Sequence, residues 1–249
     1  MKVTMSSGHG KKVAGASCFV DEVTEARKVV DRTKAIADTI QKNAITIYHE
    51  NTTTNKRDNL NTIVKYHNGT SRDLDVSIHF NSATFNGAKS TNNAVGIEIL
   101  YATDRGKPHA EALVSKLVKA TGLKNRGAKK MSNLGFLNNT NKPAILLEVC
   151  FVNSKEDVKV YQAKFEELCI ALAEYLTGGT YKKPSTNVSY VARVTADVLN
   201  VRKGAGTNYP VVATVKKGEA YTIIETLNGW GKLKSGLGWV SLTYTEKVK

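Results

Sequence analysis

Residues 144–152 read AILLEVCFV, an apolar run interrupted only by Glu148. A run of this kind predicts a β-strand that is covered on both faces. Strands covered on both faces occur in sheets that helices flank, so the run predicts a layered α/β domain. The single carboxylate within it would be costly to bury without a partner.

Helical and strand-like patterns alternate from the start of the chain to the region that follows this run. Ser154, with Asp157 three positions later, predicts the cap of a last helical region that ends before Gly178-Gly179. We therefore predict a mostly parallel or mixed sheet, flanked by helices, over residues 1–177. The stretches with helical spacing are 24–42, 59–67 and 108–121, and the strand-like stretches are 44–48, 75–80 and 94–101.

The helical pattern disappears near residue 178. Residues 178–189 are rich in glycine, proline and polar side chains, which is typical of a linker. Residues 190–249 contain short strand-like stretches separated by glycines, and this pattern predicts a small all-β barrel.

The composition is strongly basic, with 36 Lys and Arg against 22 Asp and Glu and a net charge of +14. Such an excess favours polyanionic partners, among them nucleic acid, anionic lipid and the anionic polymers of a Gram-positive cell wall. We do not expect nucleic-acid binding, because no basic motif interleaved with aromatic residues is present. Three cysteines without CxxC spacing argue against a disulfide framework and a thiolate metal cluster. Without an apolar run of signal-peptide or membrane-span length, we expect synthesis in the cytoplasm and no membrane insertion.

Two of the five histidines stand where a metal site could form. His9 lies between two glycines directly after the first predicted strand, and His79 lies near the end of strand 75–80 on its polar face. Sites in α/β sheets collect at the carboxyl ends of strands, so both are candidate ligands. His67 continues an apolar helical stripe and is expected to pack, and no role is predicted for His49 or His109.

Four glutamates require separate interpretation. Glu148 needs a cation, a metal or a raised pKa, and each of these is common at active sites. Glu98 lies in clean alternation, which predicts a solvated or rim position. Glu22 and Glu25 both open the first long helix, where the helix dipole alone favours acidic residues. Only one of them can easily point at a metal, because positions three apart diverge by about 60° around a helix.

Several motifs then occur in one order along the chain. They are Ser7-Gly8-His9-Gly10, Gly15-Ala16, a glutamate opening a helix, SIHFNS at 77–82 and ILLEVCFVN at 145–153. This order resembles the zinc-dependent N-acetylmuramoyl-L-alanine amidases, particularly phage endolysins of Gram-positive hosts, over about residues 2–176.

The resemblance implies a fold, an activity and a set of site residues. It implies that His9, Glu25 and His79 bind zinc and that Glu148 is the catalytic glutamate. Glu25 is preferred to Glu22, because its distance from Gly15-Ala16 is more similar to that in the family. Asn81, just after the second histidine ligand, is implied as a substrate contact.

The last third of the chain carries a second resemblance. VLNVRKG at 198–204, WGKL at 230–233 and GWV at 238–240 are similar to bacterial Src-homology-3-like domains, for which wall binding is a frequent role. Together the two resemblances imply a hydrolase that cuts the bond between N-acetylmuramic acid and L-alanine. Its partners would be peptidoglycan and associated wall polymers, reached after release from the cell. Two alternatives stay open: a zinc peptidase that cuts within the stem peptide, and a non-catalytic wall-binding protein.

Overall fold

The chain folds into two compact units in a computed structural model that describes residues 1–181, 188–207, 209–227 and 229–248. The first unit is Met1–Tyr181 and the second is Lys182–Lys249. The linker predicted at residues 178–189 lies partly outside the described residues, since 182–187 are not among them, and it stays a prediction.

The first unit alternates strands and helices, as its sequence pattern predicts. Its strands are β1 (Val3–Ser7), β2 (Ile45–Tyr48), β3 (Leu74–Asn81), β4 (Ile97–Tyr101), β5 (Asn125–Lys130) and β6 (Ala144–Phe151). Its helices are α1 (Glu22–Ile40), α2 (Lys56–Asn68), α3 (Lys107–Thr121), α4 (Gly135–Asn139), α5 (Lys155–Ala163) and α6 (Phe165–Thr177).

Within residues 1–181 the strands form one sheet in the order β2-β1-β3-β6-β4-β5. The first four of these strands are mutually parallel, β4 pairs with β6 in the antiparallel sense, and β5 is parallel to β4. The expected mixed α/β sheet is therefore confirmed. Because β1, β3 and β6 run in one direction, their carboxyl ends meet at one edge of the sheet. His9 follows β1 and His79 lies near the end of β3, so both candidate histidines lie at this edge.

Helices cover both faces of the sheet, which explains the apolar run on β6. On one face, side chains such as Val29 of α1, Leu113 of α3 and Leu172 of α6 pack against the strands. On the other face, Ile63 of α2 and Phe136 of α4 do the same. The central strands are thus buried on both sides, as residues 144–152 predict.

Three features of the first unit differ from the sequence pattern: the division of the last helical region, strand β5 and helix α4. The last helical region consists of two helices, α5 and α6, which meet at Lys164. Strand β5 and the short helix α4 lie where no element was predicted. The predicted cap is confirmed, since the Ser154 hydroxyl accepts a hydrogen bond of 3.1 Å from the Asp157 backbone N–H.

A buried polar network joins β1, α2 and β3. His67, as predicted, is fully buried, and its Nδ1 lies 2.7 Å from Asp75 Oδ1 while its Nε2 lies 3.0 Å from Ser6 Oγ. The Arg72 guanidinium donates to both Asp75 oxygens, at 2.6 and 2.8 Å. This arrangement gives the buried carboxylate a cation and a full set of donors, which a charge in a protein interior requires.

Asp75→Asn is expected to lower the free energy of unfolding by about 3–5 kcal/mol, because it leaves the buried Arg72 guanidinium without its counter-charge. Denaturant-induced unfolding of the purified chain measures the change. Asp73→Asn is the matched control, since Asp73 is exposed and, among the residues that the structure describes, accepts only the Lys2 backbone N–H at 2.8 Å. A loss as small for Asp75→Asn as for this control would contradict the prediction.

The second unit is an all-antiparallel β structure with its own core, and it confirms the predicted all-β class. Its described strands are β7 (Tyr190–Val194), β8 (Val198–Arg202), β9 (Val211–Lys216), β10 (Ala220–Leu227), β11 (Trp230–Leu233), β12 (Trp239–Ser241) and β13 (Thr245–Lys247). They pair in the order β13-β7-β10-β11-β12-β8-β9 around buried side chains such as Val201, Ile223 and Leu233. In the described parts of both units, no helix is long and apolar enough to cross a membrane.

Candidate active site

Three side chains converge at the carboxyl ends of β1 and β3. Glu22 Oε1 lies 3.0 Å from His79 Nδ1 and 3.5 Å from His9 Nε2. One ligand atom from each of the three residues lies within 4.8 Å of the other two. The imidazole rings are 5.2 Å apart between centroids and nearly perpendicular. The structure thus brings together both histidines that the sequence singled out, with Glu22 as the third member.

The Glu22 carboxylate is fixed by the backbone around it. It is the first residue of α1, which Asp21 caps through a hydrogen bond from the Thr24 backbone N–H. Glu22 Oε2 accepts the Ala16 N–H at 2.6 Å, and Oε1 accepts the Phe80 N–H at 3.1 Å. Burial raises the pKa of Glu22, but the hydrogen bond and the charge from His79 outweigh burial, so the pKa falls below its ordinary value. The side chain is therefore an anchored carboxylate.

Glu25, which the family resemblance favoured over Glu22, points away from the histidines. Its Oε2 accepts the Tyr161 hydroxyl at 2.8 Å, and its Oε1 accepts the Lys28 ammonium at 2.7 Å. Three positions further along α1 the side chain is directed toward α5 instead of the strand ends, because its direction around the helix differs by about 60° and it is shifted by about 4.5 Å along the axis. The structure therefore places Glu22, and not the expected Glu25, beside the two histidines.

The loop that carries His9 is held by close packing against its two glycines. A Cβ on Gly8 would lie 1.8 Å from His79 Nε2, so only glycine lets the second imidazole occupy its place. A Cβ on Gly10 would lie 2.3 Å from Glu50 Oε2 and 2.5 Å from Asn59 Oδ1. The Asn59 amide also donates to the Gly8 carbonyl at 3.2 Å. The glycines therefore allow the close approach that sets the two histidines side by side.

A second contact steadies the same loop from the end of β1. Ser7 Oγ lies 3.0 Å from His49 Nδ1, and His49 Nε2 lies 3.0 Å from Asp31 Oδ1. The Ser7 hydroxyl is also 3.4 Å from the His9 carbonyl. His49, for which the sequence predicted no role, thus anchors the residue that precedes the Gly8–His9 turn.

Glu148 lies in register with His79 on the neighbouring strand. The two residues are Cα partners in the parallel pairing of β3 with β6. Burial raises the pKa of Glu148 to about 7, the charge of His79 opposes this rise, and the charges of Glu22 and Glu98 add to it. Glu148 Oε2 is buried and has no hydrogen-bond partner among the described residues. A carboxyl group in this state can both accept and release a proton near neutral pH.

Glu98 is buried, so its predicted solvated or rim position was wrong. It lies opposite Glu148 in the pairing of β4 with β6. Its Oε2 accepts hydrogen bonds from Arg126 Nε at 2.7 Å and from Lys129 Nζ. Burial raises the pKa of Glu98, but these two cations outweigh burial, so the pKa lies below its ordinary value. Glu98 therefore stays charged beside Glu148.

Asn81, the expected substrate contact, lies beside Glu98. Its side-chain amide donates to Glu98 Oε1 at 2.9 Å, and its Oδ1 accepts the Ser82 N–H at 2.8 Å. Both polar atoms of the side chain therefore have partners within the protein. The structure places Asn81 next to Glu98 rather than among the converging residues.

The converging residues fit a zinc ion. Two imidazole nitrogens and one carboxylate oxygen form a ligand set that catalytic zinc sites use, with a further position left for water. Burial lowers the pKa of His9, which favours the neutral, metal-binding form of its imidazole. The two Glu22 backbone contacts orient its carboxylate in the way that partners of metal ligands do.

The chain matches two known protein families. The model of the family described as N-acetylmuramoyl-L-alanine amidase matches residues 3–175, which is more than half of the chain. This chain belongs to that family. The bacterial SH3 domain family matches residues 197–246, which lie within the second unit.

Individual relatives align with different shares of this chain. An uncharacterized protein of Clostridium perfringens (strain 13 / Type A) is 34% identical over 170 residues, which are 68% of this chain and 49% of that protein. A second uncharacterized Clostridium perfringens protein is 33% identical over 174 residues, or 48% of its length. The chain therefore spans about half the length of these two curated relatives. The endolysin of Bacillus phage SPP1 is 24% identical over 209 residues, which are 84% of this chain and 69% of the endolysin.

Solved structures share the fold of the first unit. The catalytic domain of CD27L, an endolysin targeting Clostridia Difficile, has a TM-score of 0.59 at 24% identity and covers 73% of this chain and 99% of that domain. The catalytic domain of CwlV, an N-acetylmuramoyl-L-alanine amidase from Bacillus (Paenibacillus) polymyxa var. colistinus, has a TM-score of 0.60 at 24% identity. It covers 72% of this chain and 97% of that domain.

Proposed function

We propose that this protein hydrolyses the amide bond between N-acetylmuramic acid and L-alanine in peptidoglycan, and that it does so as an endolysin of a phage with a Gram-positive host. The observation that supports the proposal most is the convergence of His9, Glu22 and His79 beside the buried carboxyl group of Glu148. Membership of the amidase family and the similarity to an endolysin of a Bacillus phage point in the same direction.

His9, Glu22 and His79 would hold a zinc ion. When bound, zinc acts as a Lewis acid that lowers the pKa of water toward about 7 and polarises the carbonyl of the amide. Glu22 keeps its orientation through the Ala16 and Phe80 backbone N–H groups, so the protein presents the three ligands without rearrangement.

Glu148 would move the proton. Its Oε2 has no partner among the described residues, so it can accept a proton from the attacking water. The same oxygen then donates that proton to the nitrogen of L-alanine as the amide bond breaks, and the carboxylate is restored. Asn81 borders this site and stays a proposed substrate contact.

The second unit would hold the enzyme on the wall. Residues 178–249 carry 11 basic and four acidic side chains, and this excess attracts anionic wall polymers. The match to the bacterial SH3 domain family supports a binding role for this unit.

Digestion of purified Gram-positive walls tests the proposed activity. We expect new N-terminal L-alanine to appear, with product masses that correspond to intact stem peptides, and we expect a chelator to abolish release. Added zinc should restore it, because chelation removes only the ion and leaves His9, Glu22 and His79 in the chain.

The two rival functions predict other products. A zinc peptidase would release fragments cut within the stem peptide, without new N-terminal L-alanine. A non-catalytic wall-binding protein would sediment with walls and release nothing. Either result would reject the amidase proposal.

A further inference from the structure

A row of charged residues crosses the sheet beyond the candidate zinc site. His79 on β3 pairs with Glu148 on β6, and Glu148 pairs with Glu98 on β4. On the far side of Glu98 the edge strand β5 carries Arg126. Strands in a sheet are about 4.8 Å apart, so the backbone at Arg126 lies about 10 Å across the sheet from the backbone at Glu148.

A β-bulge directs the Arg126 side chain into this row. Ile97 pairs with Asn125 and Ile99 pairs with Ala128, so two residues of β5 oppose the single residue Glu98. Gly127, the second residue of the bulge, has a φ of +78°, in the left-handed region that favours glycine. Bulges of this kind re-aim a side chain and occur next to active sites.

Arg126 is held in place by its Nε and by its planar face. Nε donates to Glu98 Oε2 at 2.7 Å, and the guanidinium carbon lies 4.8 Å from the centroid of the Phe151 ring. Neither terminal nitrogen of Arg126 has a hydrogen-bond partner among the described residues, and 30% of the side chain is exposed. These two nitrogens form a fork whose spacing matches a carboxylate.

The charge around Arg126 also favours an anion. Glu98 is paired with two cations, Arg126 and Lys129, so the three groups together carry one net positive charge. Asn81 occupies the other oxygen of Glu98. The single charge of Glu98 therefore cannot neutralise both cations. An additional carboxylate would neutralise the remaining positive charge.

We infer that Arg126, with Lys129 beside it, binds a free carboxylate on the peptide side of the bond that is cut. The inference rests on the proposed function. The carboxyl group of muramic acid is itself the acyl half of the amide, so the free carboxylates of the substrate lie on the peptide. An extended peptide advances about 3.3 Å per residue, which places the carboxylate on the second or third residue of the stem.

Direct binding of product peptides tests the inference without requiring turnover. The probes are synthetic tripeptides with an amidated C-terminus that begin with L-alanine and carry either a carboxylate or a carboxamide as a side group of the second or third residue. Calorimetry on the full chain is expected to give at least about tenfold tighter binding for one carboxylate peptide than for its carboxamide partner, as a charge-assisted contact predicts. In Arg126→Gln, the ratio of the affinity for the carboxylate peptide to that for the carboxamide peptide is expected to fall close to one.

Lys130→Gln is the matched control, because it removes one positive charge from the same strand. Lys130 is 59% exposed and lies 3.8 Å from Asp104, away from Glu98. Arg126→Lys keeps the charge and the pairing with Glu98 but lacks the fork of terminal nitrogens, so it should lower the affinity ratio. This variant tests the inference if Arg126→Gln does not fold. The inference is overturned if the wild-type chain shows no carboxylate preference, if the Arg126 variants keep the wild-type ratio, or if Lys130→Gln lowers it equally. Wall digestion decides the amidase activity separately.

Discussion

Glu148→Gln is expected to leave the fold and the zinc content intact and to slow the release of stem peptides by at least about a hundredfold, the smaller end of what a general acid–base residue contributes. Glutamine fills the same volume but cannot accept the proton of the attacking water. The initial rate at which new N-terminal L-alanine appears from purified walls measures the effect. Metal analysis and thermal unfolding of the same preparations establish whether site and fold are retained.

Glu111→Gln provides the comparison for that experiment. Glu111 lies on α3, its side chain is 57% exposed, and it lies 3.8 Å from Lys107. The change therefore removes one exposed carboxylate from a helix that carries none of the converging residues, and wild-type rates are expected. A zinc-loaded Glu148→Gln variant with near-normal rates would remove Glu148 from the mechanism. Loss of zinc from that variant would contradict the expected zinc content and would show that Glu148 contributes to metal binding.

The position of Glu148 could be predicted from sequence because its strand is covered on both faces. Such a strand needs apolar residues at every position, so residues 144–152 stand out and the carboxylate within them is conspicuous. The structure gives β6 the bounds Ala144–Phe151. Helix α1 was predictable for a related reason, since its buried residues, among them Val29 and Ile36, recur at helical spacing.

Strand β5 could not be predicted in the same way. Its sequence, NRGAKK, has neither apolar alternation nor β-branched side chains. The segment becomes a strand because it pairs with the edge of β4, and Gly127 permits the bulge within it. The energy that fixes it therefore comes from a neighbour in space, which a local pattern does not record.

The missed strand also explains the error at Glu98. Alternation in residues 96–100 predicted a solvated face, which would have been correct for a strand at the edge of the sheet. Once β5 pairs there, Arg126 and Lys129 cover Glu98 and bury it. A polar residue in an alternating strand can therefore belong to a buried ionic cluster when the next strand supplies the cations.

The choice between Glu22 and Glu25 turned on a loop whose path the sequence does not give. Counting residues from Gly15-Ala16 favoured Glu25. The chain instead folds back so that Ala16 contacts Glu22 twice, through its N–H to the carboxylate and through its carbonyl to the Glu22 N–H at 2.9 Å. Hydrogen bonds between loop and helix start thus decide which carboxylate faces the histidines.

Glu22→Gln is expected to weaken zinc binding by at least about a hundredfold, whereas Glu25→Gln is expected to bind zinc as the wild type does. Loss of a partner outside the ligand set already costs about 10–100-fold in affinity, and loss of a ligand costs at least as much. Glu22 Oε1 is the atom that both imidazoles approach, while both oxygens of Glu25 are occupied by Tyr161 and Lys28. Competition with a chromophoric zinc chelator measures the two affinities.

The two variants form a matched pair, because each removes one carboxylate from the first turn of the same helix. A general effect of charge on the helix dipole would therefore appear equally in both, and only direct ligation separates them. Normal zinc affinity in Glu22→Gln together with a loss of zinc affinity in Glu25→Gln would indicate that Glu25, which residue counting favoured, is the ligand. It would also require α1 to turn by about 60° from the orientation that Asp21 and Ala16 now fix.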